Sequence, residues 1–219
     1  MLSTQTPEAS TRTKTERSST ASAISKPIYL EDGSYNTERL KGEFVTVLPY
    51  ARGYFARDLL YQVWYYMEKE DAIKLVFSEL PHTKEPIPSG GDFVHFLGHV
   101  NQPNVIPLVI EANNEIAGFM WFEIGAPGYR AEGSEWFRRK YWGYPAREGV
   151  RLCLDYMFHS AVGVKHIWGR TPWETAMKSC LSLGFELVCV LPDFFLVRGK
   201  PKDCYLVHYG KDSFNANFA

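Results

Sequence analysis

Four cations around one glycine are the residues of this chain best suited to hold a charged ligand: Arg138, Arg139, Lys140 and Arg147 flank the turn Gly143-Tyr144-Pro145-Ala146. Pro145 just ahead of Ala146 suits the first turn of a helix, where the N–H that proline lacks would have had no intrahelical partner. The opening N–H groups of such a helix are unpaired and carry partial positive charge, so phosphate or diphosphate is their natural ligand. Gly143 lets the main chain come close to whatever sits there. A solvated basic helix end has the same composition, so the segment by itself leaves both readings open.

The flanking elements must position that turn. Alternation before Trp142, through Glu135, Trp136 and Phe137, suits a strand, and the apolar-periodic run to Phe158 continues the helix. Val164 to Arg170 reads as a second strand, Thr171-Pro172 as a helix start, and Trp173 to Leu183 as a helix closed by Gly184. Phe185 to Val190 resumes a strand. Strand, basic turn, helix, strand, helix is an order that can build a pocket for a phosphorylated cofactor.

In this order the chain resembles the GNAT-type N-acetyltransferases, which use acetyl-CoA. The residues that carry the resemblance are the turn ending in Gly143-Tyr144-Pro145-Ala146, the helix with Glu148, Leu152, Leu154 and Tyr156, and the run from Ala176 to Phe185. The family places an alanine eight residues before a Gly-Phe pair, and Ala176 with Gly184-Phe185 keeps that spacing. The likeness extends over residues 43–212. It implies an α/β, GNAT-like (acyl-CoA N-acyltransferase) fold, with a central mixed, mostly antiparallel sheet flanked by helices. It also implies acetyl-CoA held at Phe137, Arg138, Arg139, Lys140, Gly143, Tyr144, Ala146 and Arg147, and a small-molecule or peptide amine as acceptor. In the family a main-chain N–H on the splayed strand polarises the thioester carbonyl, and it maps near Phe137 to Arg139.

Two departures from the family pattern stand out. Depending on how the phosphate loop is placed, Pro145 removes one donor from it or Tyr144 stands where a glycine is usual. Many members carry a tyrosine four residues before the Gly-Phe pair, where its hydroxyl protonates the departing thiolate, and Cys180 stands there instead. A thiol can donate a proton in principle, but a cysteine on such a helix also serves as a small buried hydrophobe. Acetyl transfer further needs a base for the ammonium proton. Glu135 and Glu123 are the acidic candidates on the two central strands, each acting directly or through water.

Composition supports one domain with a tail. The 219 residues are 45% hydrophobic and 15% aromatic, enough for one sizeable core, and the net charge of −1 argues against a nucleic-acid surface spread over the whole chain. The segments are a Ser/Thr-rich tail over 1–27, disordered alone or partner-bound, a connecting segment over 28–42, the domain over 43–212 and a C-terminal tail over 213–219. No apolar run is long enough to span a membrane. Cys153, Cys180, Cys189 and Cys204 show no metal-site spacing and read as free, buried thiols of a reducing compartment, so a cytoplasmic location and no metal are expected.

Elsewhere, Glu43 to Leu48 reads as a strand, Tyr54 to Lys69 as a helix, Asp71 to Phe77 as its extension or a short strand, and Pro81 to Gly91 as a loop. Asp92 caps a helix through Val100, and Val105 to Glu111 pairs with Glu115 to Ile124 across Asn113-Asn114. Phe194 to Val197 and Asp203 to Tyr209 form a last hairpin. Tyr61, Trp64, Tyr65, Tyr66, Phe93, His95 and Phe96 make the acceptor side aromatic, with core the stronger reading for Trp64.

Two functions follow. One is an N-acetyltransferase moving an acetyl group from acetyl-CoA to an amine. The alternative is a non-catalytic GNAT-like structural or interaction protein, anchored through residues 1–26 to a protein partner in a larger assembly such as a phage virion. A shared fold does not decide between them.

Overall fold

The computed structural model describes residues 39–49, 57–76, 92–160 and 162–218. The expected N-terminal tail, the first turn of the helix expected from Tyr54 and the loop expected from Pro81 lie outside the described residues. In chain order the first elements are β1 (Leu40–Lys41), β2 (Thr46–Pro49), α1 (Arg57–Lys69), α2 (Ile73–Val76) and α3 (Phe93–Val100). Then come β3 (Val105–Ala112), β4 (Glu115–Ala126), β5 (Arg130–Phe137), a 3-10 turn (Arg139–Tyr141) and α4 (Tyr144–His159). The chain continues through β6 (His166–Thr171), α5 (Glu174–Ser182), β7 (Glu186–Val197), β8 (Lys200–Gly210) and α6 (Lys211–Phe218).

The strands form one eight-stranded sheet in the order β1-β2-β3-β4-β5-β6-β8-β7. Every neighbouring pair is antiparallel except β5 with β6, so the sheet is mixed and mostly antiparallel. Local chemistry sets several of its joints. Asn113 and Asn114 take φ of 52° and 61°, the left-handed pair that a two-residue type I′ hairpin requires. The Asp92 carboxylate accepts the His95 N–H at 2.9 Å and starts α3.

Helices cover both faces of the central strands, so β4 is buried without interruption from Ile116 to Phe122. On one face Ile110, Met120, Phe122 and Phe137 join Val150, Leu154, Met157 and Phe158 of α4 in one core. On the other, Val109, Phe119, Trp121 and Trp136 join Leu60, Trp64 and Met67 of α1 with Phe96 and Val100 of α3. Trp64 is thus core, as its periodicity suggested, and so is Phe96, while Tyr61 and Tyr65 are exposed.

Several boundaries differ from the sequence expectation, each for a long-range reason. The strand expected from Glu43 starts only at Thr46, because the N–H groups of Glu43, Phe44 and Val45 donate to the Glu148 carboxylate at 2.7, 2.7 and 3.0 Å. That carboxylate ties the β1–β2 connection to the first turns of α4. Glu148→Ala removes the acceptor of all three and is expected to cost about 1.5–3 kcal/mol, read as a shift in the urea midpoint with an unchanged slope. Residues 139–141 are a 3-10 turn rather than strand, since the Arg139 N–H donates to Glu70 at 3.1 Å instead of to a sheet neighbour. β7 and β8 form one long hairpin whose register shifts between Leu187 and Cys189 and between Leu191 and Phe195. Leu40 and Lys41, expected in a connecting segment, pair with β2, and the expected C-terminal tail forms α6 with Phe214 in the core. All four cysteines are free; Cys153 and Cys204 are buried, Cys180 is half-buried and Cys189, against expectation, is exposed.

Candidate functional site

The one parallel pair in the sheet is short. β5 and β6 match at Arg130 with His166, Ala131 with Ile167 and Glu132 with Trp168, yet β5 runs on to Phe137 and β6 to Thr171 without further pairing. From Gly133 onward the strands splay. The gap, the start of α4 and the inner side of α5 enclose a cleft of about 600 Å³, lined among others by Glu135, Phe137, Ala146, Arg147, Ala176 and Cys180.

Strand geometry fixes which main-chain groups face this gap. Successive N–H groups of a strand point to opposite edges, and Arg138 N donates to Ala117 O of β4 at 2.9 Å. The N–H groups of Phe137 and Glu135 therefore face the opening. The Phe137 carbonyl lies on the same edge, where it accepts the Trp142 indole N–H at 3.0 Å. Of the three residues from Phe137 to Arg139, Arg138 and Arg139 have their N–H groups engaged by Ala117 and Glu70, which leaves Phe137.

At the mouth, Gly143 precedes α4 with φ of 96°, a conformation that favours glycine, and Pro145 lies in the first turn. The first α4 N–H to bond backwards is that of Arg147, to Gly143 O at 3.0 Å, so those of Tyr144 and Ala146 remain available at the positive end of a 16-residue helix. Tyr144 does not plug the cleft. Its side chain stands outward, 77% exposed, with its ring 6.5 Å from that of Phe44. The Arg147 guanidinium donates to Ser182 O at 3.0 Å and bridges the start of α4 to the end of α5. That end is closed as the sequence predicts: Gly184 has φ of 100°, Phe185 N reaches Cys180 O and Gly184 N reaches Leu181 O.

The basic residues expected around the turn divide. Arg139 is exposed and lines the cleft, as does Arg147. Arg138 turns away: its guanidinium donates to Glu115 and to Ile116 O, both at 2.9 Å, and lies 3.8 Å from the centre of the Tyr66 ring. Lys140 pairs with the same Glu115, whose carboxyl also accepts the Tyr141 hydroxyl. Hydrogen bonds from Lys140, Tyr141 and Arg138 hold Glu115 down to about 2. Arg138 and Lys140 are thus ion-paired side chains that fix the 3-10 turn, and neither lines the cleft.

The two expected catalytic residues face each other across the same space. Glu135 shares a face of β5 with Phe137, which packs toward α4, and after burial its charge is the next cause that pushes up both Cys180 on α5 and Cys153 on α4. Burial raises the Glu135 carboxyl to about 7 and, with Glu135 nearby, the Cys180 thiol to about 12. Glu123 is not part of this site. It lies in the half of β4 opposite Glu132, pairs with His99 at 3.4 Å, and borders a separate shallow pocket.

A carboxyl whose folded-state value is raised binds a proton more readily folded than unfolded. Glu135 therefore favours the folded state below its unfolded value of 4.5, and that advantage is lost as pH rises through about 7. Glu135→Gln escapes the loss. Its unfolding free energy, read by chemical denaturation, is expected to gain on the wild type between pH 4.5 and 7 and to hold the gain above, by no more than roughly 3 kcal/mol.

Sequence reasoning missed Glu70, which borders the cleft from the end of α1 and holds Arg139 N, and Arg170, which pairs with Glu132 at 2.5 Å where the strands part. Nothing near Glu70 in sequence signals its role. The Arg170–Glu132 pair follows only once the parallel register is known.

A central sheet whose parallel pair splays open, with a helix N-terminus at the mouth, is the architecture of the GNAT-type N-acetyltransferases, and the comparison with solved structures shows that fold. The ribosomal-protein-S5-alanine acetyltransferase from Vibrio fischeri superposes with a TM-score of 0.62 at 15% identity, over 81% of this chain and 98% of that one. A variant of spermidine N-acetyltransferase from Vibrio cholerae gives 0.62 at 17%, over 81% and 100%. The microcin C7 self-immunity acetyltransferase, solved with acetyl-CoA and AMP, gives 0.58 at 16%, over 77% and 93%. No family model and no curated protein matches the sequence.

Proposed function

We propose that this protein is an N-acetyltransferase that binds acetyl-CoA in the cleft between β5 and β6 and passes the acetyl group to an amine. The observation that carries the reading is the joint placement of two donor sets on one opening: the Phe137 N–H on the splayed strand and the free N–H groups of Tyr144 and Ala146 at the start of α4. Acetyl-CoA supplies the activated thioester. Tyr144 N–H, Ala146 N–H, Arg147 and Arg139 hold its diphosphate, and Pro145 leaves that cradle one donor short. The Phe137 N–H meets the thioester oxygen, where negative charge grows during transfer. Glu135 and Cys180 are the titratable groups beside the reacting centre.

The structural neighbours support this reading on two counts. One was solved with acetyl-CoA, and two are named for amine-bearing acceptors, spermidine and the alanine of a ribosomal protein. The scaffold alternative drew on the altered phosphate loop at Tyr144 and Pro145, on Cys180 in place of a tyrosine and on a tail in an assembly. The Tyr144 side chain stands outside the cleft, and no observation favours the virion. Among the described residues no helix is long and apolar enough to cross a membrane.

Thermal denaturation with and without acetyl-CoA tests the first step. At 100 times its dissociation constant the ligand stabilises the native state by about 2.7 kcal/mol. An unchanged melting temperature at millimolar acetyl-CoA would remove the reading.

A further inference from the structure

A thioester sulfur leaves more readily when it takes up a proton, and a side chain facing it in the cleft can supply one. On α5 the titratable group that lines the cleft is Cys180. A thiol raised to about 12 by burial is a poor donor.

The strand opposite carries the other candidate. On β5, Glu135 and Phe137 face α4 and α5, whereas Trp136 faces the core built on α1 and α3, and Ser134 shares that second face. The anion-binding end of α4 is on the Glu135 side of the sheet, so a ligand held by Ala146 lies along that side. An amine that met it in the gap from the opposite side would pass Ser134, Glu70 and Arg170, which line the same cleft. Glu135 is thus on the leaving group's side and not on the amine's. Its carboxyl makes no ion pair among the described residues. The titratable groups that face it are Cys153 from α4 and Cys180 from α5; β4 presents Met120 opposite it.

Resting on the acetyl-CoA reading, we propose that Glu135 is the acid of the transfer, not its base: the protonated carboxyl gives its proton to the thioester sulfur as the carbon–sulfur bond breaks. The amine nitrogen forms the new bond to the carbonyl carbon. The electron pair of the old bond goes to sulfur, which takes the Glu135 proton and leaves as a thiol. The extra proton on nitrogen passes to water, and water returns one to the Glu135 carboxylate. Burial raises this carboxyl to about 7, so that roughly half of it holds a proton in neutral solution.

The test uses the full chain with acetyl-CoA and methoxyamine, a small acceptor too weakly basic to be protonated over the range scanned. An acid predicts kcat falling as pH rises through about 7. Glu135→Gln is expected to lower kcat by about 100-fold or more, remove that limb and leave the acetyl-CoA Kd unchanged, with partial recovery in Glu135→Asp. A second readout needs no turnover: with carboxyl-labelled glutamate, one carbon-13 resonance of the unloaded protein titrates near 7 and is missing from Glu135→Gln. A limb that rises with pH and vanishes in Glu135→Gln would make Glu135 a base and overturn the proposal, as would an unaltered kcat. Failure of the wild type to bind acetyl-CoA removes the underlying reading and the proposal with it. Binding and turnover with the wrong limb remove only the proposal.

Discussion

Ala176→Trp is expected to weaken acetyl-CoA binding at least about 100-fold, close to 2.7 kcal/mol, while the protein melts within a few degrees of the wild type. Ala176 is half-buried on α5 and lines the cleft opposite the start of α4. An indole there projects into open volume rather than into packed core, so the overpacking cost of a buried substitution does not arise. It fills the space that a pantetheine arm would cross between α4 and α5. Titration calorimetry reads the loss directly, and wild-type affinity in the variant would show that acetyl-CoA binds elsewhere. Because the substitution leaves Glu135 and the α4 N–H groups unchanged, the loss would report on the cleft as a space and not on its chemistry.

Gly118→Val is expected to destabilise the fold by about 3 kcal/mol or more. Gly118 pairs with Phe137 in the β4–β5 register, and a Cβ built on it would lie 2.5 Å from the Phe137 ring and 2.8 Å from the main-chain oxygen of Trp136. The same ring also lies against Gly149, whose own Cβ position is 3.1 Å from it. The Trp136 oxygen belongs to the strand and cannot turn at all. Relief therefore requires moving β5 where it presents the Phe137 N–H to the opening. Chemical denaturation should show the lower stability, and the acetyl-CoA shift should shrink with it. Gly98→Ala on α3 serves as the control: nothing lies within 4 Å of its Cβ, and helix propensity predicts a gain of roughly 0.5–1 kcal/mol. Equal stability of Gly118→Val and the wild type would mean that β4 and β5 do not meet as described.

What the sequence disclosed and what it hid separate along one physical line. Features decided within a few residues were readable: the Asn113-Asn114 turn, the Asp92 cap, the helix start at Pro145 and the Gly184 closure of α5 each depend on local backbone chemistry. Features decided by distant partners were not. The strand that should have held Glu43 gives its N–H groups to Glu148, more than a hundred residues away. Arg138 and Lys140 look like phosphate ligands until the hairpin brings Glu115 beneath them. Tyr144 looks like an obstruction until Gly143 turns the chain and points the ring outward. The face of β5 on which Glu135 stands depends on register, since a shift of one residue would carry it to the opposite side. The splay itself depends on where β5 and β6 stop pairing, which no local pattern encodes.

The central claim is that the main-chain donors of the splayed strand and of the α4 start serve one ligand. Two-dimensional amide NMR of the full chain, titrated with acetyl-CoA, tests it most directly. The account predicts that the resonances of Phe137, Gly143, Tyr144 and Ala146 move together on a single binding curve, while that of Arg138, bonded to Ala117, moves least among its neighbours. Stationary resonances at millimolar acetyl-CoA, or movement confined to residues outside the β5–β6 opening, would contradict it.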